Sequence, residues 1–222
     1  MSYILDFLSD LTNNNNREWF QEHKEDYEKA KAEFEQQVQL LIDKMTLYDP
    51  SLTGLDVKEC TWRIYRDVRF SYDKSPYKTH FGAFITRGGK KSPYSGYYIH
   101  MEPGNCLMGG GIWCPDPKLL KALRQSVYDH TEEFLSILKS PEFHSLYPEL
   151  DTEDMLKTIP RNFPKDYAYP ELLKVKSYLV SHSLPDSFFD KKEWIDQAAN
   201  RFKPMIPFHH FMNHAVDLFY EK

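Results

Sequence analysis

The sequence predicts an α+β fold: an antiparallel meander sheet of four to five strands covered by N-terminal and C-terminal helices. Three observations carry this. Apolar residues recur three and four apart through residues 1–50. Residues 59–113 switch to short β-branched and aromatic runs divided by Gly, Pro and Ser. Residues 116–222 return to helical spacing and proline-punctuated turns. Strands gathered in the middle, with helices on either side in sequence, argue against a βαβ alternation and for α+β.

In order along the chain, Ile4, Leu5, Leu8 and Leu11 predict a short first helix, which Asn13 to Asn16 interrupt. Asn15 followed by Glu18 reads as a capping box opening a second helix. Its buried stripe is Phe20, His23, Tyr27, Ala30, Phe34, Val38, Leu41 and Met45, opposite a face of mixed charge, and it ends near Pro50. Four strands are expected at residues 60–70, 79–87, 94–101 and 105–113, with turns at 87–93 and at Glu102-Pro103-Gly104-Asn105. Residues 174–181 are a candidate fifth strand. Asp116 and Pro117 are an N-cap and first helical residue, ahead of a buried face of Leu119, Leu120, Leu123, Val127, Phe134, Leu135 and Leu138. Asp190 with Glu193 predicts a last helix that Pro204 and Pro207 must split. With no repeat and no clear linker, residues 1–222 read as one domain.

The composition bounds the function. A chain of 222 residues buries roughly 70% of its unfolded surface and needs no cross-links. A formal net charge of −5 opposes a general nucleic-acid coat, because such binding runs on phosphate neutralisation. Three cysteines, Cys60, Cys106 and Cys114, form no C-x-x-C pair and read as free thiols of a reducing compartment. The N-terminus lacks a basic stretch leading into a long apolar run, so a cytoplasmic location and no membrane partner are expected.

Residues 62–78 hold the richest chemistry. Five cations (Arg63, Arg66, Arg69, Lys74, Lys78), two acids (Asp67, Asp73) and three tyrosines fall within this short run. Read as a strand, Trp62, Ile64, Arg66, Val68 and Phe70 share the core face, and Arg63, Tyr65, Asp67 and Arg69 the other. A core-facing Arg66 needs a carboxylate or carbonyl partners. Positions two apart on a strand lie about 6.6–6.8 Å apart, so Asp67 can hold one arginine and leave another for a ligand. Pro76 then turns the chain so that Lys74, Tyr77 and Lys78 come back beside the strand. Arginine forks suit phosphate, sulfate or carboxylate oxygens, and a tyrosine hydroxyl can orient them. The expected ligand-binding residues are therefore Arg63, Arg66, Arg69, Lys74, Tyr77 and Lys78. Asp67, Asp73 and Tyr77 are the candidates for acid–base work. The competing reading is an ion-pair network that fixes a strand–loop junction.

Other motifs are weaker. Gly109-Gly110-Gly111 permits a bend, or the close approach of another backbone or a ligand, but no phosphate-cradle spacing follows it. His210 and His214 could share a helix face near Asp217, yet no third ligand follows from spacing, and neither a metal nor a cofactor is expected. His80, His100 and His182 are scattered. Cys114 precedes a helix start, which can lower a thiol pKa.

Residues 66–78, Arg66-Asp67-Val68-Arg69-Phe70-Ser71-Tyr72-Asp73-Lys74-Ser75-Pro76-Tyr77-Lys78, resemble the signature of domain-of-unknown-function family 2461, conserved hypothetical proteins of bacteria and fungi. Asn15-Asn16-Arg17-Glu18-Trp19-Phe20, Gly109-Gly110-Gly111-Ile112-Trp113 and a late motif from Leu156 to Lys174 are similar to its other elements, in order. The late motif has Asn162-Phe163 and Tyr169-Pro170 where the family pattern has Gly-Phe and His-Pro. The resemblance implies one full-length domain and supplies no reaction. The expected function is thus binding of a small anionic ligand at the arginine corner. A structural or protein-interaction module is the alternative, and nucleic-acid binding ranks third.

Overall fold

The computed structural model describes residues 2–221. Its sheet has four antiparallel strands in the order β1-β2-β3-β4: β1 Phe81–Ile85, β2 Gly96–Met101, β3 Cys106–Ile112 and β4 Tyr178–Leu184. The first three form the predicted meander. The expected strand at 174–181 lies a little later, as β4, and closes the order beside β3. The helices are α1 Tyr3–Asn13, α2 Arg17–Glu22, α3 Lys24–Met45, α4 Val57–Cys60, α5 Pro117–Asp129, α6 Thr131–Leu138, α7 Pro141–Leu146, α8 Pro170–Lys174, α9 Trp194–Phe202 and α10 Ile206–Tyr220. They flank the sheet, so the α+β class stands. No helix among the described residues is long and apolar enough to cross a membrane.

Two compact units divide the chain, each discontinuous in sequence, so no single linker separates them. The first comprises Met1–Lys91, Tyr98–Met108 and Ser183–Asn200. In it α1 buries Ile4, Leu5, Leu8 and Leu11, and α3 buries Ala30, Phe34, Val38, Leu41 and Met45, as their spacing predicts; Phe7 and Ile42 are buried as well, whereas His23 and Tyr27 of the expected stripe are only partly buried. Phe34 meets Phe81 of β1 with centroids 5.3 Å apart. The helix start is shifted from expectation. Asn16, not Asn15, is the N-cap, accepting from Trp19 N at 2.9 Å. The predicted long helix is also divided at His23, whose ring stacks on Trp19 at 4.1 Å and whose Nδ1 meets Trp19 O at 2.9 Å.

Residues 60–70 are not the expected strand. A short helix, α4, runs to Cys60 under an Asp56/Glu59 capping box. Beyond it only isolated bridges form, Thr61 to Ala83 and Tyr65 to Tyr77. Ile64 is buried, but Trp62 is 45% and Phe70 94% exposed, so the expected apolar face does not exist. Local side-chain bonds explain this. Asp67 Oδ1 accepts from Arg69 N at 3.3 Å and Asp73 Oδ1 from Ser75 N at 2.9 Å. Such Asp turns offer the backbone an alternative to a sheet ladder.

The Glu102–Asn105 turn forms as predicted, with Asn105 N donating to Glu102 O at 2.9 Å and Gly104 at φ +75°.

The second unit comprises Ser92–Tyr97, Gly109–His182 and Arg201–Lys222. Asp116 caps α5 by accepting from Lys118 N at 2.8 Å. Phe134, Phe208, Phe143 and Tyr147 are fully buried, each ring touching the next in that order. Pro204 and Pro207 do split the last helical stretch, with a 3₁₀ turn at Lys203–Met205 between α9 and α10. Helix α9 opens at Trp194, past the expected Asp190 start. The glycine run is a packing device. A Cβ at Gly109 would lie 2.3 Å from Val180 O, and one at Gly110 2.4 Å from Gly96 O. Neighbouring strand backbone fills the space a ligand would need.

Candidate functional site

The arginine corner is built by a short antiparallel pairing. Arg66 N donates to Pro76 O at 2.9 Å and Lys78 N to Ile64 O at 2.8 Å, which sets Tyr65 opposite Tyr77. Asn15 holds this pairing from outside. Its Nδ2 donates to Tyr77 O at 3.0 Å, and its Oδ1 accepts from Tyr77 N at 3.2 Å. The Tyr77 ring stacks on Phe20, centroids 3.9 Å apart. Arg66 donates to the Asp73 carboxylate, to Ser75 O at 3.2 Å and to Ser71 Oγ at 3.5 Å. The expected demand for a carboxylate and carbonyl partners is met, although Arg66 is only partly buried.

Between α2 and this pairing lies a cleft of about 420 Å³. Phe20, Tyr65 and Tyr77 are its aromatic wall, and Arg17, Lys24 and Arg66 its cations, while no carboxylate lines it. Arg17 has no hydrogen-bond or ion-pair partner among the described residues. Lys24 has only exposed Glu28, at 3.8 Å, a pairing of small worth.

The structure gathers two of the six predicted ligand residues, Arg66 and Tyr77, into this cleft. Arg69 instead pairs with Asp67 through Nε at 2.9 Å and Nη2 at 2.6 Å, both exposed. Lys74 Nζ donates to Val68 O at 3.0 Å, closing the loop on itself. Arg63 is exposed, and Lys78 is partly buried, its pKa lowered by burial and then by Arg63. Asp67 is held below the usual carboxylate range by hydrogen bonds from Arg69. Asp73 is held well below it by Ser75 and then Arg66. Both are therefore weak bases at neutral pH. Burial raises the Tyr77 pKa, so its hydroxyl stays a donor. The sequence reading missed Arg17 and Lys24 because they belong to a distant helical stretch whose contact with residues 65–77 is tertiary. The available signal was Arg17 itself, inside the Asn15–Phe20 motif.

A second cluster lies on the sheet. Alternation along β2 and just beyond it points Tyr98, His100 and Glu102 to one face. His80 stands immediately before β1. Donor atoms of His80, His100 and Glu102 all lie within 4.8 Å of one another. His100 Nε2 is 3.3 Å from Glu102 Oε2, and its Nδ1 is 2.8 Å from Tyr98 Oη. Thr79 Oγ1 donates to Glu102 Oε1 and Asn105 Nδ2 to Oε2, each at 2.7 Å. Burial and then His100 push His80 down to about 4. Burial lowers His100 also, against the opposing effect of Glu102. Burial acts upward on Glu102, but hydrogen bonds from Thr79, Asn105 and His100 outweigh it and hold the carboxyl below its ordinary value. Sequence reading took these histidines singly, because a pairing across strands has no sequence spacing.

His210 and His214 line a different cleft of about 580 Å³, with His130 and Glu133. Asp217 accepts from Tyr94 Oη at 2.8 Å. Cys114 is exposed, and its N–H donates to Ser177 Oγ at 2.9 Å; Cys60 and Cys106 are buried free thiols.

A family described as conserved hypothetical protein, DUF2461, matches residues 3–211. No curated protein and no solved structure matches the chain. The cleft residues Arg17 to Tyr77, the sheet cluster and the glycine run all fall inside the matched stretch, which covers nearly the whole sequence, and the chain belongs to the DUF2461 family.

Proposed function

We propose that the chain binds a small molecule bearing a phosphate, sulfate or carboxylate group in the cleft between α2 and residues 65–77. The observation that supports this is the cleft's charge: Arg17, Lys24 and Arg66 line it and no carboxylate does. Arg66 is already engaged by Asp73 and Ser75, so it sets the shape while Arg17 supplies the open guanidinium fork. Lys24 adds a mobile point charge, and the Tyr65 and Tyr77 rings offer an apolar face for the rest of the molecule. The reading is one of binding, because the two candidate acids, Asp67 and Asp73, are held below the usual carboxylate range and already bonded.

The test is a thermal-shift and calorimetric panel of inorganic phosphate, sulfate and citrate, followed by small phosphorylated and carboxylated compounds. A ligand at a hundred times its Kd stabilises by about 2.7 kcal/mol. Arg17→Ala and Lys24→Ala are surface changes that keep the fold and should weaken the hit at least tenfold. A panel with no hit, or a hit that both variants retain unchanged, overturns the reading.

A second reading, a protein-interaction surface, has its own observation. Trp62, Tyr65, Phe70 and Tyr72 are all exposed on the same loop, Tyr72 fully. Pull-down by the wild type that is lost in a Phe70→Ser/Tyr72→Ser double variant, with the anion panel silent, would favour it.

A further inference from the structure

We propose that His80, His100 and Glu102 form a binding site for a divalent transition-metal ion of the Zn²⁺ or Fe²⁺ kind, on the sheet face between β1 and β2. Two imidazoles and one carboxylate are a donor set these borderline ions prefer, and three protein ligands leave at least one position open for water or another molecule.

The geometry is close to what an ion needs. With bonds of about 2.0–2.1 Å, two ligands of a tetrahedral ion stand about 3.3–3.4 Å apart. His100 Nε2 and Glu102 Oε2 are already at 3.3 Å. The His80 donor lies within 4.8 Å of both, and a modest rotation of its ring closes the gap. No hydrogen bond among the described residues resists that rotation.

The surroundings resemble a ligand support. Histidines that bind metals ordinarily have the second ring nitrogen hydrogen-bonded, and their carboxylate partners are bonded in turn. Here His100 Nδ1 has Tyr98 Oη at 2.8 Å, and both Glu102 oxygens receive a side-chain donor. The Tyr98 placement depends on Gly82. A Cβ at that position would stand 2.7 Å from the Tyr98 hydroxyl, so the absent side chain lets the ring cross β1 and reach His100. A purely structural hydrogen bond accounts for His100 and Glu102. It leaves unexplained why a half-buried His80, which makes no hydrogen bond among the described residues, is brought ring to ring with His100, 4.4 Å away.

Full-length chain stripped with a chelator should take up one equivalent of Zn²⁺ by calorimetry. With Co²⁺ it should develop the visible absorption of a low-coordinate site. His80→Ala and Glu102→Gln should each weaken uptake at least tenfold, and Tyr98→Phe about 10–100-fold through loss of the ring support. His210→Ala, in the other histidine cleft, should bind as wild type. His80 makes no hydrogen bond among the described residues, so His80→Ala remains informative if Glu102→Gln fails to fold by circular dichroism. Absence of uptake by the wild type overturns the proposal. So does uptake that His80→Ala leaves unchanged.

Discussion

Replacing Asn15 by Ala tests how the candidate cleft is held together. The side chain makes two hydrogen bonds to one residue, at 3.0 and 3.2 Å, donating to the C=O and accepting from the N–H of Tyr77. Tyr77 is 6% exposed, so its freed N–H and C=O would find water poorly. A neutral hydrogen bond contributes about 0.5–1.5 kcal/mol net, which puts the loss of both near about 2 kcal/mol. For a chain of 222 residues, 1 kcal/mol moves Tm by about 2–4 °C, so Asn15→Ala should lower it by about 4–8 °C. Asn14→Ala is the control. That side chain reaches only Asp10 O on its own exposed helix end, and its loss should move Tm by about 2 °C or less. Asn15→Asp is the second arm, because it keeps the acceptor for Tyr77 N but sets a carboxylate against Tyr77 O. It should be as damaging as Ala. Scanning calorimetry or urea denaturation reads all three. If Asn15→Ala and Asn14→Ala shift Tm equally, the clasp contributes nothing and the account of how Tyr77 is positioned fails.

Other expectations follow from single contacts. Gly104→Ala should cost about 1–2 kcal/mol, since its φ of +75° is strained for alanine while nothing lies within 4 Å of the added carbon. Gly111→Ala should cost more than about 3 kcal/mol or prevent folding, because the added carbon would stand 1.9 Å from Tyr178 O; paired melts of the two variants check the order. Of the three thiols, native protein at pH 8 should release colour from a thiol reagent with Cys114 first, and Cys60 and Cys106 only after unfolding. Burial pushes Cys60 and Cys106 up to about 12, against an ordinary value of 9.0. Raised pKa values leave their stability contribution intact below about pH 9; it is lost as the unfolded thiols ionise toward about pH 12. A urea midpoint for Cys60→Ala/Cys106→Ala that falls more gently over this window than wild type supports this, and an identical slope refutes it.

The asparagine run shows how far sequence reading reaches. Four asparagines announce a break between helices, and the break is there. Each then satisfies a different partner: Asn13 bonds Ser9 O, Asn14 bonds Asp10 O, Asn15 clasps Tyr77 and Asn16 caps α2. The first two are local and helical. The Asn15 role depends on a residue 62 positions later, and no local pattern could separate it from the cap beside it. The arginine segment fails in the same way. Its alternation of Trp62, Ile64, Arg66, Val68 and Phe70 was a sound strand signal, but two aspartates folding onto the backbone two residues ahead displaced the ladder.

By itself the sequence determined what short-range chemistry controls: the amphipathic stripes of α1 and α3, the Asp116 cap of α5, the Pro103-Gly104 turn, the proline split before α10 and hence the α+β order. It also pointed to Arg66 as a residue that must be partnered. Tertiary structure decided what depends on which distant residues meet. Packing brought Arg17 and Lys24 to Arg66 and Tyr77, while Arg69 and Lys74 spent their charges on their own loop. Strand pairing set His80 against His100 and Glu102, and pressed β3 against its neighbours so closely that only glycine fits. Spacing along a chain encodes which side of an element a residue occupies; it does not encode which other element that side will face.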